Sequence, residues 1–196
     1  MSVYTFAPSP DLTTKEEPFA FWEGGFSDDE IKTIIDIGEK LNLDDGIAGG
    51  QKNEKVRKSK VSWLEHNQET NFIYDQLAYI TRQLNGQFFE YDLFGFVEHM
   101  QYTRYEGDGG HYDWHLDRGM GGGISPRKLS IVMQLSDPDE YEGGDLEFLV
   151  GGEPIQAQKQ KGMIYVFPSF VLHRVTPVTK GTRRSLVVWV AGPKFK

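Results

Sequence analysis

The second half of the chain alternates short apolar stretches with glycine-rich turns, and this texture constrains the fold more than any other feature. Leu129, Ile131, Met133 and Leu135 alternate with polar residues, which is typical of a β-strand. Strands are predicted near residues 93–105, 111–117, 129–136, 145–149, 162–167, 171–176 and 183–191. Earlier in the chain, a first strand is predicted near residues 19–22, and another is predicted to begin at residues 61–64. Many short strands separated by turns predict an antiparallel sandwich.

Two amphipathic helices are predicted before these strands. Residues 27–30 have the capping-box pattern, and isoleucines at helical spacing follow it, so a helix is predicted over residues 28–41. A second helix is predicted from about residue 68 to 84, where Asn85-Gly86 supplies a stop signal. Helices followed by a run of strands predict an α+β, mainly β, fold with both helices packed on one sheet.

Length and composition limit the possible classes of protein. A chain of 196 residues with 38% hydrophobic residues can bury one core, so a single domain over 1–196 is expected, with an extended arm at 1–18, helical support at 19–90 and a β core at 91–191. The net charge of −8 argues against nucleic-acid binding, which needs a basic face. The lack of cysteine excludes disulfides, zinc–thiolate sites and thiol nucleophiles. No apolar run could span a membrane and the N-terminus lacks a signal-peptide pattern, so a cytoplasmic protein without membrane partners is expected.

A histidine and a carboxylate two positions apart, His115 and Asp117, are candidate metal ligands. On a strand they would share one face, because side chains alternate. With His173 they would form the two-histidine, one-carboxylate set that holds Fe(II) in non-haem oxygenases. His111 and Asp113 have the same spacing and the same parity, so spacing alone does not choose between the two pairs.

A candidate anion site follows His173. Arg183, Ser185 and Trp189 would lie on one face of the last strand. Alone, Arg183 would be interpreted as a surface cation beside a second arginine. Next to a metal site, however, a buried guanidinium requires an anion, and a guanidinium with a neighbouring hydroxyl fits a carboxylate. Tyr105 would supply a further hydroxyl.

Two loops are open to more than one interpretation. Residues 42–60 are polar, contain glycine and are locally basic; they are either a solvated loop or a mobile flap, whose charge would suit an acidic substrate. Arg57 in this loop is a candidate substrate-groove residue. The glycine-rich stretch after Asp117, residues 118–126, is either a substrate lid or a loose hairpin.

Several motifs of the chain resemble those of the prolyl-4-hydroxylase-like group of 2-oxoglutarate and Fe(II)-dependent oxygenases. They are Gln101-Tyr102-x-Arg104-Tyr105, Tyr112-x-x-His115-x-Asp117, Gly143-Gly144-Asp145-Leu146-x-Phe148 and the segment from His173 to Arg183. The last segment is similar to that of bacterial PKHD-type hydroxylases. The resemblance covers about residues 90–191 and implies a double-stranded β-helix (jelly-roll) core.

The same resemblance implies roles for individual residues. A tyrosine stands three positions before the liganding histidine in this family, which selects His115 and Asp117 over His111 and Asp113. The residues implied to contact 2-oxoglutarate are Tyr105, Arg183, Ser185 and Leu146. Those implied to border the substrate groove and the iron site are Tyr112 and Trp189.

The activity implied is hydroxylation of an unactivated C–H bond with Fe(II), 2-oxoglutarate and O2, with ascorbate as a stimulant. A prolyl residue in a peptide or protein is the substrate expected first, and a free amino acid or small metabolite is the alternative. Two other classes compete: a non-catalytic jelly roll that binds a metal or small acid, and a zinc hydrolase that uses the same three ligands. The anion site at Arg183 and Ser185 favours the oxygenase, since a simple hydrolase does not need it. The sequence does not indicate an oligomeric state.

Overall fold

The computed structural model describes residues 17–118 and 127–194. Most of the predicted arm at 1–18 and of the predicted lid at 118–126 therefore lies outside the described residues. The α-helices are α1 (Asp28–Lys40) and α2 (Asn71–Leu84). The strands are β1 (Ala20–Trp22), β2 (Asp44–Asp45), β3 (Arg57–Lys58), β4 (Lys60–Leu64), β5 (Gly95–Phe96), β6 (Met100–Glu106), β7 (Gly110–His115), β8 (Arg127–Gln134), β9 (Tyr141–Gly143), β10 (Leu146–Leu149), β11 (Pro154–Gln156), β12 (Ile164–Pro168) and β13 (Leu172–Ala191).

The strands form two antiparallel layers that share β13. The larger layer has the order β1-β12-β8-β13-β6-β4-β2, and β5 pairs with the end of β13. The smaller layer has the order β11-β10-β13-β7-β3, and β9 also pairs with β13. The predicted α+β, mainly β, sandwich is confirmed. No helix within the described residues is both long and apolar enough to cross a membrane.

Strand β13 is longer than predicted, because the segment 177–182 does not interrupt it. Its first half pairs in the smaller layer and its second half in the larger one. At the crossing Gly181 has φ +73°, and a Cβ there would lie 2.0 Å from the Glu140 carbonyl oxygen. Glycine thus allows one strand to pass between layers where two strands were predicted. Four strands of two or three residues, β2, β3, β9 and β11, were not predicted, and two of them lie in the supposed loop 42–60.

Helices α1 and α2 pack on the outer face of the larger layer. Ile34 of α1, Ile73 of α2 and the apolar residues of β8 lie in one buried cluster. The opposite face of β8, with Ser130 and Gln134, is also buried because the smaller layer covers it. The polar face of β8 therefore turns towards the space between the two layers.

The capping box that was predicted for α1 is present. The Ser27 hydroxyl accepts a hydrogen bond from the Glu30 amide at 3.3 Å, and the Glu30 carboxylate accepts one from the Ser27 amide at 2.8 Å. These bonds satisfy amides that the first helical turn leaves unpaired. The helix ends at Lys40, one residue before the predicted end.

Both ends of α2 differ from the prediction. It begins at Asn71, because the Asn67 side chain accepts hydrogen bonds from the amides of residues 69 and 70 and holds them in a turn. Asn85 and Gly86 do not end the helical path. A π-helical turn follows over Asn85–Phe89, and the path ends at Glu90 with φ +52°, whose amide donates to the Asn85 carbonyl at 2.7 Å.

A partly buried polar cluster joins α1 to the larger layer. Glu39 accepts hydrogen bonds from Tyr102 at 2.8 Å, from Arg104 at 2.6 Å and from Arg184 at 3.0 Å. Burial opposes ionisation of Glu39, but the hydrogen bonds from Arg184, Tyr102 and Arg104 outweigh it and hold the pKa of this carboxyl below its usual value. Arg104 and Arg184 face the helix, so their neighbours along β6 and β13 face the other side.

Candidate metal and anion site

The three candidate metal ligands converge at one end of the space between the layers. His115 ends β7, and His173 lies directly opposite it on β13. Nε2 of His115 and Oδ1 of Asp117 are 3.7 Å apart, and Nε2 of His173 and Oδ2 of Asp117 are 3.6 Å apart. One ligand atom from each residue lies within 4.8 Å of the others, which is close enough for a single metal ion.

An irregularity in β7 separates this set from the second pair with the same spacing. His173 pairs with His115 and Val175 pairs with Tyr112. An interval of three residues on β7 therefore lies opposite an interval of two residues on β13. This extra residue is a β-bulge, which turns Tyr112 and His115 to the same face. Their rings stack with centroids 3.5 Å apart and planes inclined by 13°.

The bulge also corrects the assumption that His111, Asp113, His115 and Asp117 share one face. The His111 ring contacts the Gly109 and Lys55 carbonyl oxygens at 2.8 and 3.3 Å, and Asp113 is exposed. His111 and Asp113 are therefore absent from the described metal-ligand cluster.

The backbone fixes the tautomer of both histidines. Nδ1 of His115 lies 2.7 Å from the Asp113 carbonyl oxygen, and Nδ1 of His173 lies 2.9 Å from that of Val171. Because a carbonyl oxygen can only accept, each Nδ1 carries the proton and each Nε2 keeps its lone pair. Burial, with the nearby His173, lowers the pKa of His115 to about 4, so its imidazole is neutral at pH 7.

Asp117 completes a set of donors that suits a divalent cation. Burial disfavours its charged form, but His173 and His115 outweigh burial, and the pKa of Asp117 lies below its usual value. Its Oδ2 is buried without a hydrogen-bond partner. Two imidazole Nε2 atoms and a buried carboxylate oxygen in need of a partner fit Fe(II).

A buried cation without a carboxylate partner lies deeper in the same space. Arg183 is 0% exposed; its Nη2 donates to Gln134 at 2.8 Å and its Nη1 to Ser185 at 3.3 Å. Its Nε has no partner, and among the described residues no carboxylate forms an ion pair with it. Tyr105 pairs with Arg183 across β6 and β13, and its ring lies 5.4 Å from the guanidinium carbon. A buried guanidinium with neutral partners alone is a site for an anion.

A cavity of about 860 Å³ connects these two features. Nine of the ten predicted site residues line it, and the tenth, His115, lies behind the stacked ring of Tyr112. The nine are Asp117, His173, Tyr105, Arg183, Ser185, Leu146, Tyr112, Trp189 and Arg57.

Trp189 forms a wall of the cavity beside Asp117. The Arg127 guanidinium carbon lies 3.6 Å from the Trp189 ring centroid, and Nη1 of Arg127 donates to the Asp117 carbonyl oxygen at 3.3 Å. Glu98 holds Arg127 with two bonds, of 2.7 and 2.5 Å. Glu98 and Arg127 thus fix both the wall and the backbone of a candidate ligand, and neither was predicted.

Sequence reasoning also missed Gln134, which binds the Arg183 guanidinium, and Trp63, which borders the mouth of the cavity. The sequence did contain an indication for Gln134: it lies an even number of residues from Ser130 and therefore on the same polar face of the predicted strand. The alternation was used to predict the strand, and Gln134 was assigned no role. Trp63 was predicted in a strand and assigned no role, because nothing in the sequence indicates its contact with Trp189.

Residues 42–60 contain the short strands β2 and β3, and less of their positive charge is left unpaired than was predicted. Lys52 and Lys60 both bind Asp45, at 2.7 and 2.5 Å, and Lys58 binds Asp108 at 2.9 Å. Acidic residues therefore compensate these lysines. Residues 44–49 contribute to the mouth of the cavity, mainly through exposed side chains such as Ile47.

Comparison with known proteins agrees with the motifs. Residues 100–191 match the model of the 2OG-Fe(II) oxygenase superfamily. A PKHD-type hydroxylase of Gloeothece citriformis is 40% identical over 96 residues, which are 48% of this chain and 43% of that protein. One of Nitrosomonas europaea is 34% identical over 94 residues, 45% of this chain and 41% of that protein. The matched region spans less than half the length of these curated relatives.

Solved structures share the fold over most of the chain. A prolyl-4-hydroxylase of Pseudomonas putida has a TM-score of 0.72 at 20% identity, with 90% of this chain and 94% of that chain covered. A prolyl hydroxylase of Trichoplax adhaerens, in complex with a hypoxia inducible factor peptide fragment, has a TM-score of 0.74 at 15% identity, with 89% and 84% covered. The jelly-roll core implied by the motifs is confirmed.

Proposed function

We propose that the protein is an Fe(II)- and 2-oxoglutarate-dependent dioxygenase that hydroxylates a C–H bond, in keeping with the match of residues 100–191 to the model of the 2OG-Fe(II) oxygenase superfamily. The observation that carries this proposal is the pairing of two features in one cavity. A buried His-Asp-His set lies at one end, and a fully buried arginine without a carboxylate lies at the other. A zinc hydrolase accounts for the first feature but not for the second.

The residues of the chain have separate tasks in this reaction. His115, Asp117 and His173 would hold Fe(II) on one face, with both Nε2 lone pairs already directed by Nδ1 hydrogen bonds. Arg183 and Ser185 would bind the distal carboxylate of 2-oxoglutarate, next to Tyr105. Leu146 would contact the co-substrate chain, and Tyr112 and Trp189 would exclude water around the substrate. Fe(II) with 2-oxoglutarate and O2 supplies the oxidising chemistry, and succinate and CO2 are the co-products.

The first experiment measures succinate formed from 2-oxoglutarate when anaerobic protein with Fe(II) is exposed to air, with and without ascorbate. His115→Ala and Arg183→Ala are expected to lose this activity. His111→Ala is the matched control, because it removes a histidine from the same strand, four residues away, outside the cavity. Equal loss in His111→Ala and His115→Ala, or wild-type protein that binds neither Fe(II) nor 2-oxoglutarate, would contradict the proposal.

For the prime substrate we propose a prolyl residue in a peptide or protein. The support is the similarity to prolyl hydroxylases, one of which was solved with a peptide, and the aromatic walls formed by Tyr112 and Trp189. A free amino acid or small metabolite is the alternative. A panel of proline peptides and free amino acids in the succinate assay decides between them, since the true substrate raises succinate formation and gains mass from one oxygen atom.

A further inference from the structure

A second buried guanidinium in the cavity has no role in binding the metal or the co-substrate. Arg57 is 7% exposed and lines the cavity, with its guanidinium carbon 4.6 Å from the ring centroid of Tyr112. Its partners are the Ser59 hydroxyl at 2.9 Å, the Ile47 carbonyl oxygen at 3.1 Å and the Gln101 side-chain oxygen at 2.7 Å. All three partners are neutral.

No carboxylate of the described residues forms an ion pair with Arg57. Its neighbours do form such pairs: Lys58 binds Asp108, and Lys60 binds Asp45. The five N–H groups of a guanidinium exceed the three acceptors present, so two donors remain for a ligand. Arg57 thus resembles Arg183 in being a buried cation with neutral partners, but it lies against the ring of Tyr112, whereas Arg183 lies near the ring of Tyr105.

The charges of the loaded cavity point to the missing partner. Among the buried groups of the cavity, a metal dication with Arg183 and Arg57 contributes four positive charges, whereas Asp117 and the 2-oxoglutarate dianion contribute three negative charges. Asp44 and Asp45 at the mouth are exposed to solvent, and neither forms an ion pair with Arg57. Arg127 does not alter the difference, because Glu98 neutralises it. One positive charge at Arg57 is therefore left without compensation, in a place where an unpaired charge is costly.

We propose that Arg57 is a substrate-binding residue and that the substrate carries a carboxylate, which Arg57 binds beside Tyr112. This inference rests on the proposed function and names a substrate class for it. The carboxylate belongs to a free amino or carboxylic acid, or to an acidic residue or C-terminus next to the hydroxylated position. Lys52, Lys58 and Lys60, which were among the residues that first suggested an acidic substrate, are paired with acidic residues and take no part.

The test uses anaerobic full-length protein loaded with Fe(II) and 2-oxoglutarate. The probes are matched pairs of N-acetyl amino acids and their amides, beginning with N-acetyl-L-proline and N-acetyl-L-prolinamide, and dipeptides that end in Asp or Asn. Binding is measured by calorimetry. In at least one pair the acid is expected to bind wild-type protein about tenfold or more tightly than its amide, since a hydrogen bond to a charged group discriminates by that order.

Arg57→Gln is expected to remove this preference, and Arg57→Lys to restore part of it. Lys58→Gln is the matched control: it removes one positive charge from the adjacent residue of the same strand and is expected to keep the full preference. Wild-type protein that binds both members of every pair equally, or that binds none, overturns the inference. Calorimetry of 2-oxoglutarate alone separates this outcome from failure of the proposed function, which would appear as absence of metal-dependent 2-oxoglutarate binding to the wild-type protein.

Discussion

Replacement of Arg183 by Met should leave stability nearly unchanged but should strongly weaken co-substrate binding. Without a ligand, the wild-type guanidinium is a fully buried charge with neutral partners. Replacing buried charges by apolar groups of similar volume is often neutral or stabilising by about 1–4 kcal/mol. The substitution also leaves the Gln134 side-chain oxygen without its donor, which costs about 1–3 kcal/mol. These effects nearly cancel, so the free energy of unfolding of the single variant Arg183→Met should lie within about 2 kcal/mol of the wild-type value.

The double variant Arg183→Met/Gln134→Leu removes that remaining cost. It should be more stable than wild type by about 1–2 kcal/mol, which raises Tm by about 2–8 °C for a domain of this size. In both variants the distal carboxylate of 2-oxoglutarate loses a charge-assisted partner. We expect a loss of about 2–5 kcal/mol, or about 30-fold to several thousand-fold in Kd.

The assay is thermal unfolding with and without metal and 2-oxoglutarate. At about 100 times its wild-type Kd, 2-oxoglutarate should stabilise the wild-type protein by about 2.7 kcal/mol; after a loss of about 30-fold or more in affinity it should stabilise either variant by less than about 1 kcal/mol. The reasoning fails if 2-oxoglutarate stabilises Arg183→Met as much as wild type. It also fails if the double variant loses several kcal/mol without ligand, because Arg183 would then be a structural cation.

Three further predictions follow from other contacts. Glu39→Gln should lower the free energy of unfolding by about 1–3 kcal/mol at pH 7. The pKa of Glu39 is lower in the folded protein than its value of 4.5 in the unfolded chain, so the ionised carboxylate stabilises the wild-type protein above pH 4.5. The difference in unfolding free energy between wild type and variant should therefore shrink as the pH of the measurement falls. Glu98→Gln should weaken Co(II) binding about tenfold in a spectroscopic titration, because Arg127 then loses the anion that holds it against the cavity wall; unchanged affinity would refute this. Gly38→Ala should lower the free energy of unfolding, because the new Cβ would lie 2.4 Å from the buried Tyr102 ring. This clash opposes the gain of about 1 kcal/mol that alanine brings to a helix. Denaturant unfolding measures the balance, and a net gain in stability would show that the ring can move.

Local physical rules were enough to predict much of this protein from its sequence. The capping box and apolar spacing identified α1, because helix initiation depends on groups within one turn. Strand alternation placed Arg183, Ser185 and Trp189 on one face of β13, because side chains on a strand alternate whatever its neighbours are. The motifs around His115 and His173 predicted the fold and the chemistry of the ligands.

Contacts between distant segments decided the rest. The bulge that turns Tyr112 and His115 to one face exists only in the pairing of β7 with β13, so parity in the sequence could not separate His111 from His115. Alternation identified β8 as a strand, but nothing in that strand reveals the second layer that covers its polar face. Whether the basic residues near Arg57 are paired likewise depends on which acidic residues the folded chain places next to them. Spacing along a chain determines the direction of a side chain, but what lies opposite that side chain is decided by segments many residues away.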